Sequence, residues 1–428
     1  MPTRLLLLLG LLSALACATG CATAACTRVR DDHRDFLRRR GSGDAAQLVV
    51  AVPLATLSQS LSWPLAKLQP ISVPLQVPGL DLGLGSLEIG LHSVQVLPAA
   101  EGQLALRVRF ALASRGRAIT AIDLDATITP QIVPQTNTVR LSLRPQDLVR
   151  VRPSLPAAER AKFSAFLRSQ LPAAAEALLG RGRIDDAAEK VLADLVERAF
   201  PAVRDNLLAR VGTLVDVEIE LPPVPLQKVV LRSPGQDLEL WLHTTLPAAP
   251  LAPGPARVAG SDPRLVQVRM SGSAAAELAN QGIVRGQIPA RYDESGEASP
   301  TGAFEAGVAW RSGPRPLRIH AWKQQPVCAH VEFAATPQLS AAQGELVVAV
   351  PDAKIEKVTG AAKARVAFWF SGLGRQTFAF SQAIAGATQF DLLGVDYDAT
   401  PLKAAAVGDD LFIDLSLAPS KRTPARKP

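Results

Sequence analysis

Strict alternation of apolar and polar residues over long stretches is the feature that most limits what this chain can fold into. Leu104, Leu106, Val108, Phe110 and Leu112 alternate with Arg107 and Arg109. Ile122, Leu124, Ala126 and Ile128 alternate with Asp123, Asp125, Thr127 and Thr129, and Val139, Leu141 and Leu143 alternate with Arg140 and Ser142. A period of two puts the apolar side chains of a segment on one face, so each segment predicts a strand with one buried side. Ser114-Arg115-Gly116-Arg117 joins the first two as a hairpin. Such strands need a second layer to cover the apolar face. With 34 prolines and 30 glycines in 428 residues, one long helical bundle is excluded. Hydrophobic residues make up 48% and aromatics only 5%, so the core must be aliphatic.

Helical periodicity supplies candidates for the covering layer. Leu54, Leu57, Ser58 and Leu61 follow the apolar strand Leu48 to Val52 and its terminating Pro53. Residues 156–179 carry Ala161, Phe163, Phe166, Leu167 and Leu171 at helical spacing. Asp186-x-x-Glu189 has capping-box spacing and opens a long amphipathic pattern to Val211, with a kink expected at Pro201. Leu192, Leu195, Val203 and Leu207 lie on or near one stripe of it. They are predicted to face the concave side of the sheet and to contact any apolar ligand. Strands return at Val215–Glu220, Lys228–Leu231 and Asp237–Thr245.

Residues 246–263 are rich in Pro, Ala and Gly and read as a linker between two domains, 46–245 and 264–418. The second block opens like the first. Val266, Val268 and Met270 alternate with Gln267 and Arg269, and Ala274, Ala275, Leu278 and Ala279 follow at helical spacing. Beyond that it reads as strand, closing with Leu411, Ile413, Leu415 and Leu417. The shared opening suggests a degenerate duplication, without a residue-level repeat. The fold class expected is α+β, with antiparallel sheets, a long amphipathic helix packed on the sheet of the first domain and a mostly β second domain.

The first residues address destination. Arg4 precedes an apolar stretch, Leu5 to Ala16, that is shorter than the roughly 20 residues a bilayer span needs. Small residues and cysteines follow, a layout that reads as an export signal. The segment resembles a bacterial lipoprotein signal, whose small-residue box ends in a cysteine that is acylated. On that resemblance residues 1–20 are the signal and Cys21, after Ala18-Thr19-Gly20, is the lipidated residue, with Cys17 as the alternative. Neither has the usual Leu three residues before it, and a plain secretory signal is the competing reading. The resemblance implies a membrane anchor and a bacterial envelope location, outer-membrane-attached and facing the periplasm.

Residues 21–45 are charged and read as a disordered tether, and 419–428 as a basic tail. The formal net charge of +7 is concentrated partly at these ends, which suits anionic headgroups as well as solvated tails. Nucleic-acid binding is not expected, because no aromatic residues interleave with the basic ones. Cys328, alone in the body of the chain, reads as a small buried hydrophobe, or as a partner for Cys26 if Cys26 survives processing unmodified.

Leu48-Val49-Val50-Ala51-Val52-Pro53-Leu54, the strands between Ile89 and Leu143, and the helix Asp186–Val211 together resemble the tubular lipid-binding superfamily of bactericidal/permeability-increasing-type proteins. They also resemble bacterial lipoproteins that carry such units in tandem. The resemblance covers about half the chain and rests on no short motif. It implies that the antiparallel sheets are curved, that the first domain is wrapped around its long helix, and that an apolar interior holds acyl chains.

No catalytic constellation emerges. Asp123 and Asp125 share the polar face of a strand and read as solvated. Asp409-Asp410 reads as a turn, and Gly180-Arg-Gly182-Arg lacks the third glycine of a dinucleotide fingerprint. Among His33, His92, His243, His320 and His330, only Cys328-x-His330 approaches metal-ligand spacing, and two ligands do not make a zinc site. The five tryptophans are dispersed and read as packing residues. The chain is therefore expected to be a binding protein and not an enzyme, with no cofactor and no metal. The leading expectation is a lipid or other apolar ligand. The alternative is a scaffolding lipoprotein with a solid core and a protein partner.

Overall fold

A computed structural model describes residues 24–65, 70–76, 83–128, 131–133, 138–141, 150–154, 157–170, 217–220, 225–293, 296–325, 327–342, 344–361, 363, 365, 381–385, 388–392 and 395–419. Cys17 and Cys21, the helix Asp186–Val211 with Leu192, Leu195, Val203 and Leu207, and the basic tail lie outside them. The described chain is a sheet-rich α+β fold of open, curved antiparallel sheets with few helices.

The alternating segments form the strands they predict. Leu104–Ser114 and Arg117–Ile128 pair antiparallel through a tight turn, in which Arg115 and Gly116 both have positive φ, 49° and 74°. That is the geometry two-residue hairpins prefer, because it matches strand twist. The register sets Arg107 opposite Asp125 and Arg109 opposite Asp123, so the polar face is a ladder of opposite charges. Asp125 meets Arg107 at 2.7 Å. Asp123, expected to be solvated, is only 9% exposed. The helix Ala157–Gln170 crosses this strand, and its Glu159 accepts from Thr120 Oγ1 and the Ala121 amide.

A seven-stranded antiparallel sheet occupies the centre. Its order is Leu226–Arg232, Asp237–Thr244, Ala46–Pro53, Val266–Ser271, Asp410–Pro419, Val395–Val407 and Thr388–Leu392. The opening strands of the two sequence blocks are neighbours in it, with Leu48 opposite Met270 and Val50 opposite Val268. Each leads into a short helix, Leu54–Leu65 and Gly272–Val284, packed on a five-stranded sheet of its own half. One core joins Leu48, Leu54, Val94, Leu106 and Leu240 with Ala274, so the blocks share hydrophobic interior as well as strands.

The stretch 246–263, expected to be a linker, is packed across the other face of this sheet. Leu251 (9% exposed) and Ala256 (2%) cluster with Val49, Ala51 and Trp241. Arg257 makes a two-pronged pair with Asp237 at 2.6 and 2.8 Å. Gln267 and Arg269, whose alternation places them on a polar face, are consequently buried rather than solvated. Arg269 pairs with Asp410, both side chains 4% exposed, and donates to the Pro255 and Ala252 carbonyls. Asp410 is thus a buried partner at the edge of the turn the sequence suggests.

Residues 24–38, expected to be part of a disordered tether, are helical, and Cys26 is disulfide-bonded to Cys328 across 302 residues of sequence. This helix docks on the outside of the second half. Its Val29 (2% exposed) and His33 (8%) are buried against the sheet. Phe36 lies 4.9 Å from the Trp322 ring and 5.3 Å from His320. A Cβ at Gly307 would come within 2.7 Å of Phe36 and 2.8 Å of Trp322, so this position must lack a side chain for the helix to seat. Cys328 is therefore one end of a covalent staple, not the lone buried thiol of the simpler expectation. Among the described residues, no helix is long and apolar enough to cross a membrane.

Candidate functional site

A cavity of about 720 Å³ lies in the second half. Its floor is the sheet Arg291–Tyr292, Phe304–Trp310, Leu317–Lys323, Ala329–Ala335 and Lys354–Gly360. Alternation along these strands divides the two faces. Ala306, Val308, Ile319, Ala321, Val331 and Phe333 line the cavity. Trp322 and His330, between them in sequence, face the opposite side and the N-terminal helix. The helix Gly272–Val284 forms one wall with Ala275, Leu278, Ala279 and Ile283. Leu339, Leu346 and Val348, from the paired strands Gln338–Ala342 and Glu345–Ala349, form another. Met270, Leu411 and Ile413 bring in the central sheet.

The local reasons for this wall are legible. Ser271 caps the helix, its Oγ accepting from the Ala274 amide at 3.2 Å. Asn280 then fixes the helix to the sheet. Its amide group donates to the Val308 carbonyl and accepts from the Val308 amide, both at 2.8 Å. A side chain here satisfies an edge that would otherwise invite another strand.

The two ends of the cavity differ. At one, Leu317, Ala335, Val350 and Ala353 pack into a closed apolar cluster with Trp310. The strand register places Phe304, Lys323, Ala329 and Gly360 at the other. Of the polar lining residues, Gln287, Tyr292 and Asp293 gather there with Phe304, while His320 borders the cavity at mid-sheet. Burial pushes the Tyr292 phenol pKa up, which keeps it a neutral hydrogen-bonding group.

Behind the floor lies a cluster of three imidazoles. His320 Nδ1 and His330 Nε2 are 3.0 Å apart, and both rings stack on Trp322. Burial, with the neighbouring His330 and Arg39 charges, holds His320 down to about 3. Burial also lowers His330 and His33, against the opposing pull of nearby carboxylates. These are neutral packing imidazoles at neutral pH. Among the described residues, no group of three or more His, Cys, Asp or Glu could hold a metal ion.

The ligand-facing candidates Leu192, Leu195, Val203 and Leu207 fall in a predicted helix outside the described residues. In 264–418 periodicity picks out Met270, Ala275, Leu278, Ala279, Leu411 and Ile413 as apolar-face residues, all of which line the cavity, but not the lining residues of the floor. Their signal was present in the alternation of Val308, Ile319, Val331 and Phe333. Alternation, however, identifies a buried face without saying whether side chains or a void lie across from it.

No family model matches the sequence, and no curated protein matches it. Among solved structures, P47 from Clostridium botulinum A2 aligns at 9% identity with a TM-score of 0.42, over 88% of this chain and 99% of its own. P47 of Clostridium botulinum E1 aligns over the same shares at 9% identity with a TM-score of 0.39. A lipopolysaccharide binding protein aligns at 12% identity with a TM-score of 0.24, again over 88% of this chain and 99% of that one. Likeness at this level assigns neither ligand nor partner.

Proposed function

We propose that this chain is an exported bacterial envelope lipoprotein that holds a lipid or similarly apolar, chain-like ligand. The cavity is the observation that carries the reading. Its volume of about 720 Å³ falls within the range of small-molecule sites, roughly 300–1,000 Å³. Its walls are mostly apolar, with most of the polar groups at one end, which suits a ligand with an apolar body and a polar head. An unfilled apolar void is costly. The cavity is partly open to solvent, so the cost here is that of largely apolar walls left facing water that finds few polar partners on them. An apolar occupant removes the cost.

A scaffolding lipoprotein with a solid core has no use for such a void, which is why the carrier reading is preferred over it. The reading assigns no catalytic residue and no cofactor. Extraction and mass spectrometry of the purified chain should find lipid in near-stoichiometric amount. A chain that purifies free of lipid, and takes up none from vesicles, would remove the basis for the proposal.

A further inference from the structure

We infer that the Cys328 end of the cavity sheet is a docking surface for an anionic bilayer, and that the Cys26–Cys328 disulfide orients the protein on it. The inference rests on the anchor and carrier readings above. It adds which face meets the membrane and what holds it there.

The geometry brings separate features to one end. Cys328 adjoins Ala329, which pairs with Lys323 and Gly360, and Lys323 pairs with Phe304. This is the end where Gln287, Tyr292 and Asp293 line the cavity. The helix Gly272–Val284 runs toward it, because Asn280 bonds Val308 and Ala290 bonds Ala306 beyond it. Val284, at the end of that helix, is 79% exposed, and Val327, beside the disulfide, is 36% exposed. Arg28, Arg30, Arg285, Lys363 and Arg365 are exposed on the segments that reach this end, against the exposed acids Asp32 and Glu297 and the half-exposed Asp31. Apolar tips within a basic surround match an anionic headgroup layer.

Chain length supplies the independent argument. Cys21 precedes Cys26 by five residues, a reach of at most about 18 Å in extended chain. A lipid on Cys21 therefore cannot sit far from Cys328 while the disulfide holds. Without it, only the packing of Val29, His33 and Phe36 would hold the 24–38 helix to the sheet, and its Cys26 end could fray. The staple converts a flexible anchor into a fixed approach, with the polar end of the cavity turned toward the bilayer that would supply or receive the ligand.

The test places a photoreactive phenylalanine singly at Val284, Val327, Val407 and Leu346 in the full chain, exported in a bacterial host. Val407 is exposed at the opposite end of the cavity, where Asp409 meets Trp310 and Ser312. Membranes are irradiated and phospholipid adducts quantified by mass spectrometry. Several-fold more adduct at 284 and 327 than at 407 is expected, and Cys26→Ser with Cys328→Ser should reduce that contrast. Equal adducts at all three surface positions, or none at 284 and 327, overturn the docking surface. A contrast undiminished by loss of the disulfide overturns the orienting role. Position 346 lies inside the cavity and reports occupancy separately. Adducts there alone leave the carrier reading standing while the docking surface fails, and their absence at 346 alone does the reverse.

Discussion

Ala306→Phe separates a true void from an ordinary core by the sign of its effect. Ala306 lies opposite Ala321 in the floor, and both line the cavity with Ala275 and Ala279 of the facing helix. In a filled core, the added ring would force neighbours off their rotamers and cost about 1–3 kcal/mol. Here it enters open space. Burying about 150 Å² of aromatic surface at about 25 cal/mol/Å² gains about 4 kcal/mol, and fixing the side chain costs about 1. Ligand-free protein should therefore be stabilised by about 2–3 kcal/mol. The ring occupies ligand volume, so the lipid content of the variant should fall, and with it the stability that bound ligand confers by mass action. The two preparations should cross. Stripped of lipid, the variant outlasts wild type in urea; as purified, wild type outlasts the variant. Urea midpoints followed by tryptophan fluorescence, with lipid counted by native mass spectrometry, give both numbers. A stripped variant that is less stable than stripped wild type would show that side chains already fill the space.

Four further outcomes are expected. Arg269→Ala leaves Asp410 buried without its partner and should cost about 3–5 kcal/mol in urea unfolding; a loss below about 1 kcal/mol would mean the pair is solvated. His320 takes up a proton near 6.5 when unfolded but only near 3 when folded, so its contribution to stability disappears as pH falls through that window. The loss should reach about 3 kcal/mol by about pH 4.5 and be smaller in His320→Gln, and an unchanged acid limb in the variant would reassign it. Limited proteolysis should spare 246–263, because Leu251, Ala256 and Arg257 pin it to the sheet, and an early cut there would mean the crossover detaches. Cys21→Ser should move the chain to the soluble fraction while Cys26→Ser leaves it membrane-bound; the opposite pattern would reassign the lipidated cysteine.

Local pattern alone determined the strands. Period two in 104–112 and 122–128 identified the buried face of each strand, while the register that sets Arg107 opposite Asp125 and Arg109 opposite Asp123 came from the paired structure. The openings at Leu48 and Val266 and the short helices after them were legible for the same reason: periodicity is set by the geometry of one element. Tertiary structure decided what covers each face. Gln267 and Arg269 obey a polar alternation, yet a crossover rich in Pro and Ala closes over them and supplies carbonyls for Arg269. Cys26, Val29, His33 and Phe36 share one helix face at spacings of three and four, but that stripe shows only if a cysteine and a histidine count as core. Their partners, Cys328 and Trp322, are about three hundred residues away. The cavity was the least visible of all. A side chain that lines a void and one that touches another side chain look the same in sequence, because the difference lies in the distance to an element elsewhere in the chain.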